Sequence, residues 1–381
     1  MIGWKKAKLS DLAIIIMGQS PESKFYNMDW KGLPFFQGCS EFGEFYPRVD
    51  KYCSHPIRIA KAGDVLMSVR APVGKLNIAE TDCCIGRGLC AIRPKVNGMF
   101  IFYLLKANAK KILAFESGSV FGAINKTDTN NLEFNIPIDE VVQDKIASLL
   151  SAYDSLIENN RRRIQLLEQS ARLLYREWFV HLSFPGHEHV RIIDGVPEGW
   201  EKKQLVNIAN LVMGQSPKSE FYNEEGEGLP FHQGVTNFGD RFVNHEFYCT
   251  VKNRLANPGD ILCSVRAPVG RLNVTLDKIV IGRGLAAIQS KSNHQSFLYY
   301  QLKNHFFKED MIGGGAIFAS VTKKDMENQE LMYPPKDLVK NFEEISVPID
   351  NQIKTLHIQN ERLNSARDIL LPRLMNGEII V

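Results

Sequence analysis

The sequence predicts an α+β (or α/β) protein: two copies of one globular domain, separated by two long helices that pair as an antiparallel coiled-coil spine with pseudo-twofold symmetry. Three observations carry this. The chain repeats itself at a constant offset of 196 residues (213 − 17). Each copy holds short β-rich runs between Gly, Pro and Asn turns. Each copy then ends at a proline and enters a segment with heptad spacing of apolar residues.

The repeat decides the architecture. GWKKAKLSDLA at Gly3 returns as GWEKKQLVNIA at Gly199, and MGQSPESKFYN at Met17 as MGQSPKSEFYN at Met213. GLPFFQG at Gly32 returns as GLPFHQG at Gly228, and GDVLMSVRAPVGKLN at Gly63 as GDILCSVRAPVGRLN at Gly259. IGRGL stands at both Ile85 and Ile281. After one inserted residue, FGAINKTD at Phe121 pairs with FASVTKKD at Phe318. A period of half the chain is a duplicated domain plus helix, not a solenoid. The expected order is a globular domain over 1–138, a helical region over 139–184, a second domain over 185–336 and a second helical region over 337–381. A Pro- and Gly-rich linker covers 181–200.

Inside each domain the runs AIIIM, VLMSV and LCAIR, with their copies, read as strands of a mainly antiparallel sheet. Phe100–Lys111 and Phe297–Lys308 read as helices. The first long helix carries an unbroken seam: Ile146, Leu150, Tyr153, Ile157, Asn160, Ile164, Leu167, Ala171, Leu174 and Trp178. From Ile349 the spacing returns at Ile353, Leu356, Asn360, Leu363, Arg367, Leu370 and Leu374. A helix with one apolar stripe needs a partner, and each seam supplies the other's. At 1.5 Å per residue the first seam is about 50 Å long. Antiparallel pairing would set the two domains at opposite ends, a geometry suited to reading two inverted sites along a polymer. The alternative is a duplication that only enlarged a structural protein. Pro348 is expected near the start of the second long helix, and Pro372 and Gly377 at its close. Asn160 and Asn360 are polar members of the seams, the residue type that fixes register. Arg161, Arg162 and Arg163 read as a solvated face or as a dock for an acidic helix.

The 381 residues hold 46 Lys and Arg against 43 Asp and Glu, a net charge of +3, so any nucleic-acid surface must come from local patches. Seven cysteines, with no CxxC pair, fit a reduced, cytoplasmic protein better than a disulfide framework or zinc site. No apolar leader core and no long apolar run is present, so no membrane association is expected. Catalytic signatures are missing as well: no GxxxxGK[ST], no GxGxxG after a strand, no HExxH. Tyr333-Pro334-Pro335-Lys336 lacks the asparagine of an amino-methyltransferase signature, Cys39 and Cys83 have no diagnostic histidine, and His187-Glu188-His189 reads as a solvated turn. This pattern points to binding, with no metal and no catalytic residues.

The DNA-binding candidates are paired across the repeat. Gln19, Ser20, Ser23, Tyr26, Asn27 and Gln37 return as Gln215, Ser216, Ser219, Tyr222, Asn223 and Gln233. Gln and Asn can bond an adenine edge, and Ser or Tyr a phosphate oxygen. The competing reading is capped turns that fix a loop. Arg70, Lys75 and Arg87, with Arg266, Arg271 and Arg283, sit on Gly- and Pro-flanked loops suited to phosphate or guanine. Against that stands a buried arginine bonding loop carbonyls, especially at Arg70 and Arg266. Lys126 and Lys323 follow glycine-bearing loops (Gly118; Gly313, Gly314 and Gly315) that permit close backbone approach. Glu22, Lys24, Met28, Trp30, Lys31, Phe36 and Glu41 become Lys218, Glu220, Glu224, Gly226, Glu227, His232 and Asn237. Such differences would separate two half-sites, or are drift on solvated loops.

Taken in order and twice over, the GW(K/E)K openings, the GQSPxSxxYN and GLPFxQG loops, GDxLxSVRAPVGxLN, the GRG turn, LLYREWFV and ILLPRLMNGEI resemble the specificity (S) subunit of a Type I restriction–modification system across essentially the whole chain. The resemblance implies two target recognition domains on a helical spine, each reading one half of a bipartite site in double-stranded DNA, the spine setting the spacer. It implies two methyltransferase (M) subunits and restriction (R) subunits as partners, which would carry S-adenosylmethionine, ATP and Mg; this chain would hold none. It transfers no catalytic residue. Because the two domains are so alike, the half-sites are expected to be related and inverted, giving a near-palindromic target. A stand-alone two-headed DNA-binding protein is the main alternative, and an enzyme with a cryptic active site is another.

Overall fold

The computed structural model describes residues 3–118, 122–306 and 320–381, with side chains of 116–118 left aside. Phe121, Gly313, Gly314, Gly315, Phe318 and the expected helix end at Lys308 lie outside the described residues. The chain forms two compact units, one of residues 1–161 with 357–381, the other of 162–356. Each unit joins one globular repeat to a stretch of both long helices.

In the first unit the three β-rich runs become neighbours. Ala13–Met17, Leu89–Pro94, Val65–Ser68 and Leu76–Ile78 form one antiparallel sheet in that order. Val65–Ser68 and Leu89–Ile92 are buried throughout, as central strands covered on both faces must be, whereas Ala13–Met17 alternates at its start. A second sheet runs Tyr26–Asn27, Tyr52–Cys53, Leu33–Phe36, Cys83–Ile85, Ile59–Ala60; its Leu33–Phe36 and Cys83–Ile85 pair is parallel. Trp4–Lys8 pairs with Glu133–Pro137 and ties the start of the repeat to its end. The helix expected over 100–111 is two helices, Gly98–Ala107 and Ala109–Gly118. The break falls at Asn108, whose amide donates to the Leu104 carbonyl at 2.8 Å and competes with the helix ladder. Phe100, Ile101 and Tyr103 join Ile15, Met67 and Ile92 in a core that also takes in Ile146, Leu150, Leu371 and Leu374.

The second unit repeats the order strand for strand: Ala209–Met213, Leu285–Ser290, Ile261–Ser264, Leu272–Val274 in one sheet. Tyr222–Asn223, Tyr248–Cys249, Leu229–His232, Ile279–Ile281 and Leu255–Ala256 form the other. Glu201–Gln204 pairs with Glu330–Tyr333. Its junction with the long helices is aromatic, Tyr175, Trp178 and Phe179 packing around Phe297 and Phe342 at 5.1–6.1 Å between rings.

The long helices are Glu140–Phe179 and Lys336–Met375, 40 residues each. All seam residues named from the sequence are buried or half-buried. Within the first unit the helices run antiparallel, since Asn160 meets Asn360 while Asp154 meets Arg367 further back. Within the second, Tyr175 and Trp178 meet Phe342, and Glu168 and Asp350 share Arg241. Two expectations are corrected. The second helix begins at Lys336, not at Pro348, and it passes through Pro372. Both prolines are exposed, as are Glu344 and Asp368 four residues before them. The carbonyls that lose an N–H therefore face water, which lowers the cost of an internal proline. The helix does close at Gly377. Glu378 N–H bonds Arg373 O (2.9 Å), Gly377 N–H bonds Leu374 O (3.3 Å), and Gly377 takes φ 74°, a left-handed cap that favours glycine.

Candidate nucleic-acid interface

In the first unit, backbone hydrogen bonds weave the motif loops into one network. Gly18 N–H reaches Leu89 O (2.9 Å), Gln19 N–H reaches Ile85 O (3.0 Å), and Gly86 N–H reaches Phe36 O (2.8 Å). Gly88 N–H reaches Gln37 O (3.1 Å), Val69 N–H reaches Gly88 O (2.9 Å), and Ile124 N–H reaches Val69 O (3.0 Å). The GQSP, FQG, SVRAPVG and GRG motifs, far apart in sequence, thus meet. Glycine is required at the crossing: a Cβ on Gly18 would fall 2.1 Å from Gly86 O, and one on Gly88 2.6 Å from Gln37 O.

Side chains lock this network. Ser20 Oγ lies 2.8 Å from Gln37 Nε2 and accepts from Arg87 N–H at 3.1 Å. Ser68 Oγ donates to Pro72 O (2.6 Å) and accepts from Lys75 N–H (2.9 Å), closing the 68–75 loop on itself. Tyr26 donates its hydroxyl to Pro21 O (2.7 Å), with its ring stacked on Phe35 at 4.4 Å. Asn27 caps the next turn, Nδ2 donating to Lys31 O (2.9 Å) and Oδ1 accepting from Asp29 and Lys31 N–H. These four polar candidates, Ser20, Gln37, Tyr26 and Asn27, have loop partners already, as the capped-turn reading describes.

The cations are arranged differently. Arg70, Lys75, Arg87 and Lys126 are all exposed. The buried-arginine reading therefore does not hold for Arg70, nor for Arg266, its exposed copy. Gln19 and Ser23 are exposed too. Lys126 opens the short helix Lys126–Asn130, where Asn125 caps by accepting from Asp128 N–H at 2.9 Å.

The second unit rebuilds the same network. Gly214 N–H bonds Leu285 O, Gln215 N–H bonds Ile281 O, Gly282 N–H bonds His232 O, and Val265 N–H bonds Gly284 O, at 2.8–3.0 Å. Ser216 Oγ donates to Gln233 Oε1 (2.9 Å) and accepts from Arg283 N–H (3.2 Å). Ser264 Oγ closes the loop through Pro268 O (2.6 Å) and Arg271 N–H (2.8 Å). Tyr222 bonds Pro217 O (2.7 Å) and Asn223 bonds Glu227 O (2.9 Å). Gln215, Ser219, Arg266, Arg271, Arg283 and Lys323 are exposed, Lys323 with Glu327 at 3.3 Å.

Three features escaped sequence reasoning. The loop-closing serines Ser68 and Ser264 stand inside the repeated SVRAPVG motif, so their recurrence was the available signal. Asp154 and Asp350 lie beside seam positions and anchor each domain to a long helix; nothing local marks them. Trp30 takes φ 63°, which only its copy Gly226, at φ 85°, could have suggested. Among the described residues no group of His, Cys, Asp and Glu is placed to hold a metal. Burial pushes the thiols of Cys83, Cys84, Cys90 and Cys263 up to about 12, away from nucleophilic use. Among the same residues no helix is long and apolar enough to cross a membrane.

What the fold defines is a duplicated scaffold presenting one cationic loop network twice. Comparison with known proteins agrees. The family model described as the Type I restriction modification DNA specificity domain matches residues 1–169 and again 197–365. A Methanocaldococcus jannaschii protein named for the MjaX type I restriction enzyme, as its specificity subunit, is 33% identical over 341 residues, covering 84% of this chain and 79% of its own. The MjaIX type I restriction enzyme specificity subunit of the same organism is 27% identical over 410 residues, 99% of this chain and 94% of its own. The fold matches the crystal structure of the type I restriction–modification S subunit from M. genitalium with a TM-score of 0.64 at 20% identity, over 98% of this chain and 96% of that one. The chain belongs to the family of type I restriction–modification specificity subunits, with two DNA recognition domains.

Proposed function

We propose that this chain reads DNA for a type I restriction–modification complex, each domain engaging one half of a bipartite site in double-stranded DNA. The observation that carries the reading is the recurrence of one loop network with the same side chains: Gln19, Arg70 and Arg87 exposed in one copy, Gln215, Arg266 and Arg283 in the other. In this reading Ser20, Tyr26, Asn27, Gln37 and their copies hold the loops in shape. The exposed Gln and Arg meet base edges or phosphates, and Lys75, Arg271, Lys126 and Lys323 add phosphate contacts. Near-identical networks call for related half-sites, hence a near-palindromic target. Asn160 and Asn360 would set the register of the paired helices and so the spacer between half-sites.

Partner docking would use the outer faces of the long helices. Leu149 and Leu156, and Leu166 and Leu173, are each one heptad apart and exposed, a pattern that solvated helices ordinarily avoid. Two methyltransferase subunits would sit there and restriction subunits would join them in the cytoplasm, bringing S-adenosylmethionine, ATP and Mg to a chain that performs no catalysis itself.

The test is co-expression with the adjacent methyltransferase gene, sizing of the complex, and sequencing of host DNA for N6-methyladenine. Two methyltransferases per chain and a split motif with inverted, related halves are expected. Halves that share no bases would remove the palindrome. A chain that stays alone and leaves DNA unmodified would favour the stand-alone binder. In the complex, Arg87→Ala and Arg283→Ala should each lower the slope of log affinity against log salt by about one if they meet phosphates.

A further inference from the structure

The two recognition domains share a hairpin frame and fill it with opposite chemistry. Asn27 closes the turn in the first domain and Asn223 in the second, each bonding both the N–H and the carbonyl of the residue four places on, Lys31 or Glu227, at 2.9–3.0 Å. Inside that frame the second domain places Gly226 at φ 85°, and the first places Trp30 at φ 63°. A left-handed backbone costs glycine nothing and a bulky L-residue conformational energy. Trp30 recovers little of it by packing. It leaves 78% of its surface exposed, one face resting on Tyr52 at 5.4 Å, and its neighbour Met28 is 73% exposed. Glycine holds the same left-handed place in the second domain, so the hairpin frame itself does not call for the strained, exposed indole.

The surroundings indicate what the indole meets. The tip continues directly from the recognition network, through the Tyr26 hydroxyl on Pro21 O at 2.7 Å, next to Ser20. Lys24 and Lys31 flank it, exposed and paired with Glu22 (2.6 Å) and Asp29 (3.7 Å), where the second domain has Glu220 and Glu227. At the tip itself the second domain carries Glu224, Glu225 and Glu227, a cluster that phosphates repel. A flat aromatic with a thioether beside it and lysines around it matches a base step edged by phosphates.

We infer that Trp30 is a specificity-determining contact of the first domain alone, packing against or between bases beside the first half-site and extending that half of the footprint. The inference rests on the DNA-reading function proposed above. It makes the target asymmetric at its edge while the shared network keeps its core related.

The test uses the complex with its methyltransferase subunits, comparing Trp30→Gly, Trp30→Phe and Arg87→Ala on a duplex carrying both half-sites. Trp30→Gly should keep or raise thermal stability, because it relieves the left-handed strain. It should lose about tenfold in affinity, with the footprint shortened only beside the first half-site. Trp30→Phe should recover part of the loss. Unchanged affinity and footprint in Trp30→Gly, with Arg87→Ala impaired, would overturn the inference and leave the DNA-reading function standing. Loss of methyltransferase co-purification in Trp30→Gly would also overturn it, by assigning the tip to a protein partner. If Arg87→Ala binds as the parent does as well, the placement of DNA on this loop network falls and the inference with it.

Discussion

Asp154 and Asp350 hold the same place in the repeat (350 − 154 = 196), and each accepts a hydrogen bond from the tyrosine of its domain's buried helix, Tyr103 at 2.5 Å and Tyr300 at 2.8 Å. Their counter-charges come from different directions. In the first unit Arg367 of the second long helix bonds Asp154. In the second, Arg241 rises from a loop of the globular domain, bonds Asp350 at 2.8 Å and lies 3.5 Å over the Tyr299 ring. The residue at Arg241's place in the first unit is Phe45, which packs on Phe102 at 5.0 Å. The Tyr–Asp bond ties domain to long helix in both units, and the arginine adds a helix-to-helix tie in the first and a second domain-to-helix tie in the other. The second unit adds Ser296 Oγ on Asp350 (2.6 Å) and Phe297 N–H on Glu343 (2.6 Å). The first caps its equivalent helix locally, Asn97 accepting from Phe100 N–H at 3.1 Å. Duplication kept the anchor and changed what its arginine ties.

Removing the arginines is the strongest way to break that contrast. Arg241 and Arg367 each show only 6% side-chain exposure; truncating Arg367 strands the buried Asp154, and truncating Arg241 leaves the half-buried Asp350 without its counter-charge. A loss of about 3–5 kcal/mol is expected for Arg367→Ala, and a smaller one for Arg241→Ala because Asp350 is partly open to water. Hydrogen exchange should localise the damage: Arg241→Ala deprotects residues 209–306 and spares 13–105, and Arg367→Ala does the reverse, loosening the helix pair around Asn160. Equal deprotection of both units by either variant would show that the two clamps are interchangeable.

The second unit also replaces Phe36, Val49 and Thr81 by His232, His245 and Asp277, a chain with 2.9 Å between the imidazoles and 3.2 Å from His245 to Asp277. Burial, with His245 beside it, pushes the His232 pKa down to about 4. The unfolded chain then takes the proton first. The stabilisation is full above pH 6.5 and is lost as pH falls towards 4, roughly 3 kcal/mol in all. Glu343 acts in the opposite sense. Burial pushes its carboxyl up to about 7, so its contribution is full below pH 4.5 and is lost as pH rises towards 7, again roughly 3 kcal/mol. The first unit has Phe36 and Ala147 at these places. His232→Phe should therefore gain melting temperature at pH 5 relative to pH 7.5, and Glu343→Gln should gain at pH 7.5 relative to pH 5. Parallel shifts with pH in both variants would contradict the opposed signs.

These anchors and buried titrating groups were the part of the molecule least visible in the sequence. The 196-residue repeat and the heptad seams were legible because they are periodic, and periodicity survives without coordinates. The glycines of GQSP and GRG marked close approach, but the partner loops lay up to 71 residues away (89 − 18), so their convergence could not be read. Pro348 misled for a physical reason: a proline on the wet face of a helix leaves its orphaned carbonyl to water. Ser20 and Gln37 left two readings open, because a residue that shapes a loop and one that reads a base recur equally in a duplicated domain. Asp154, beside a seam, and Arg241, on a loop, were silent, since a lone charge acquires meaning only from a partner across the fold.

The smallest predicted effect concerns the asparagine pair. Asn160 Nδ2 donates to Asn360 Oδ1 at 3.0 Å, and Asn360 Nδ2 donates to the Ile157 carbonyl at 3.2 Å, with both residues buried. At the equivalent places the second unit has Leu356 and Ile164, so the molecule already contains the apolar version. Replacing one asparagine strands the other's amide and should cost about 1–2 kcal/mol. Replacing both, Asn160→Leu with Asn360→Ile, removes donor and acceptor together and should return stability to within about 1 kcal/mol of the parent or above it. The double-mutant cycle would then show a coupling energy of about 1–2 kcal/mol. Additive losses would mean that the two amides act independently. If the pair exists to fix register, the double variant, though stable, should methylate sites whose half-site spacing is no longer unique, whereas the parent modifies a single spacing. A double variant that keeps one spacing would leave the buried amides as a packing detail and move the control of spacing to the Asp154–Arg367 clamp.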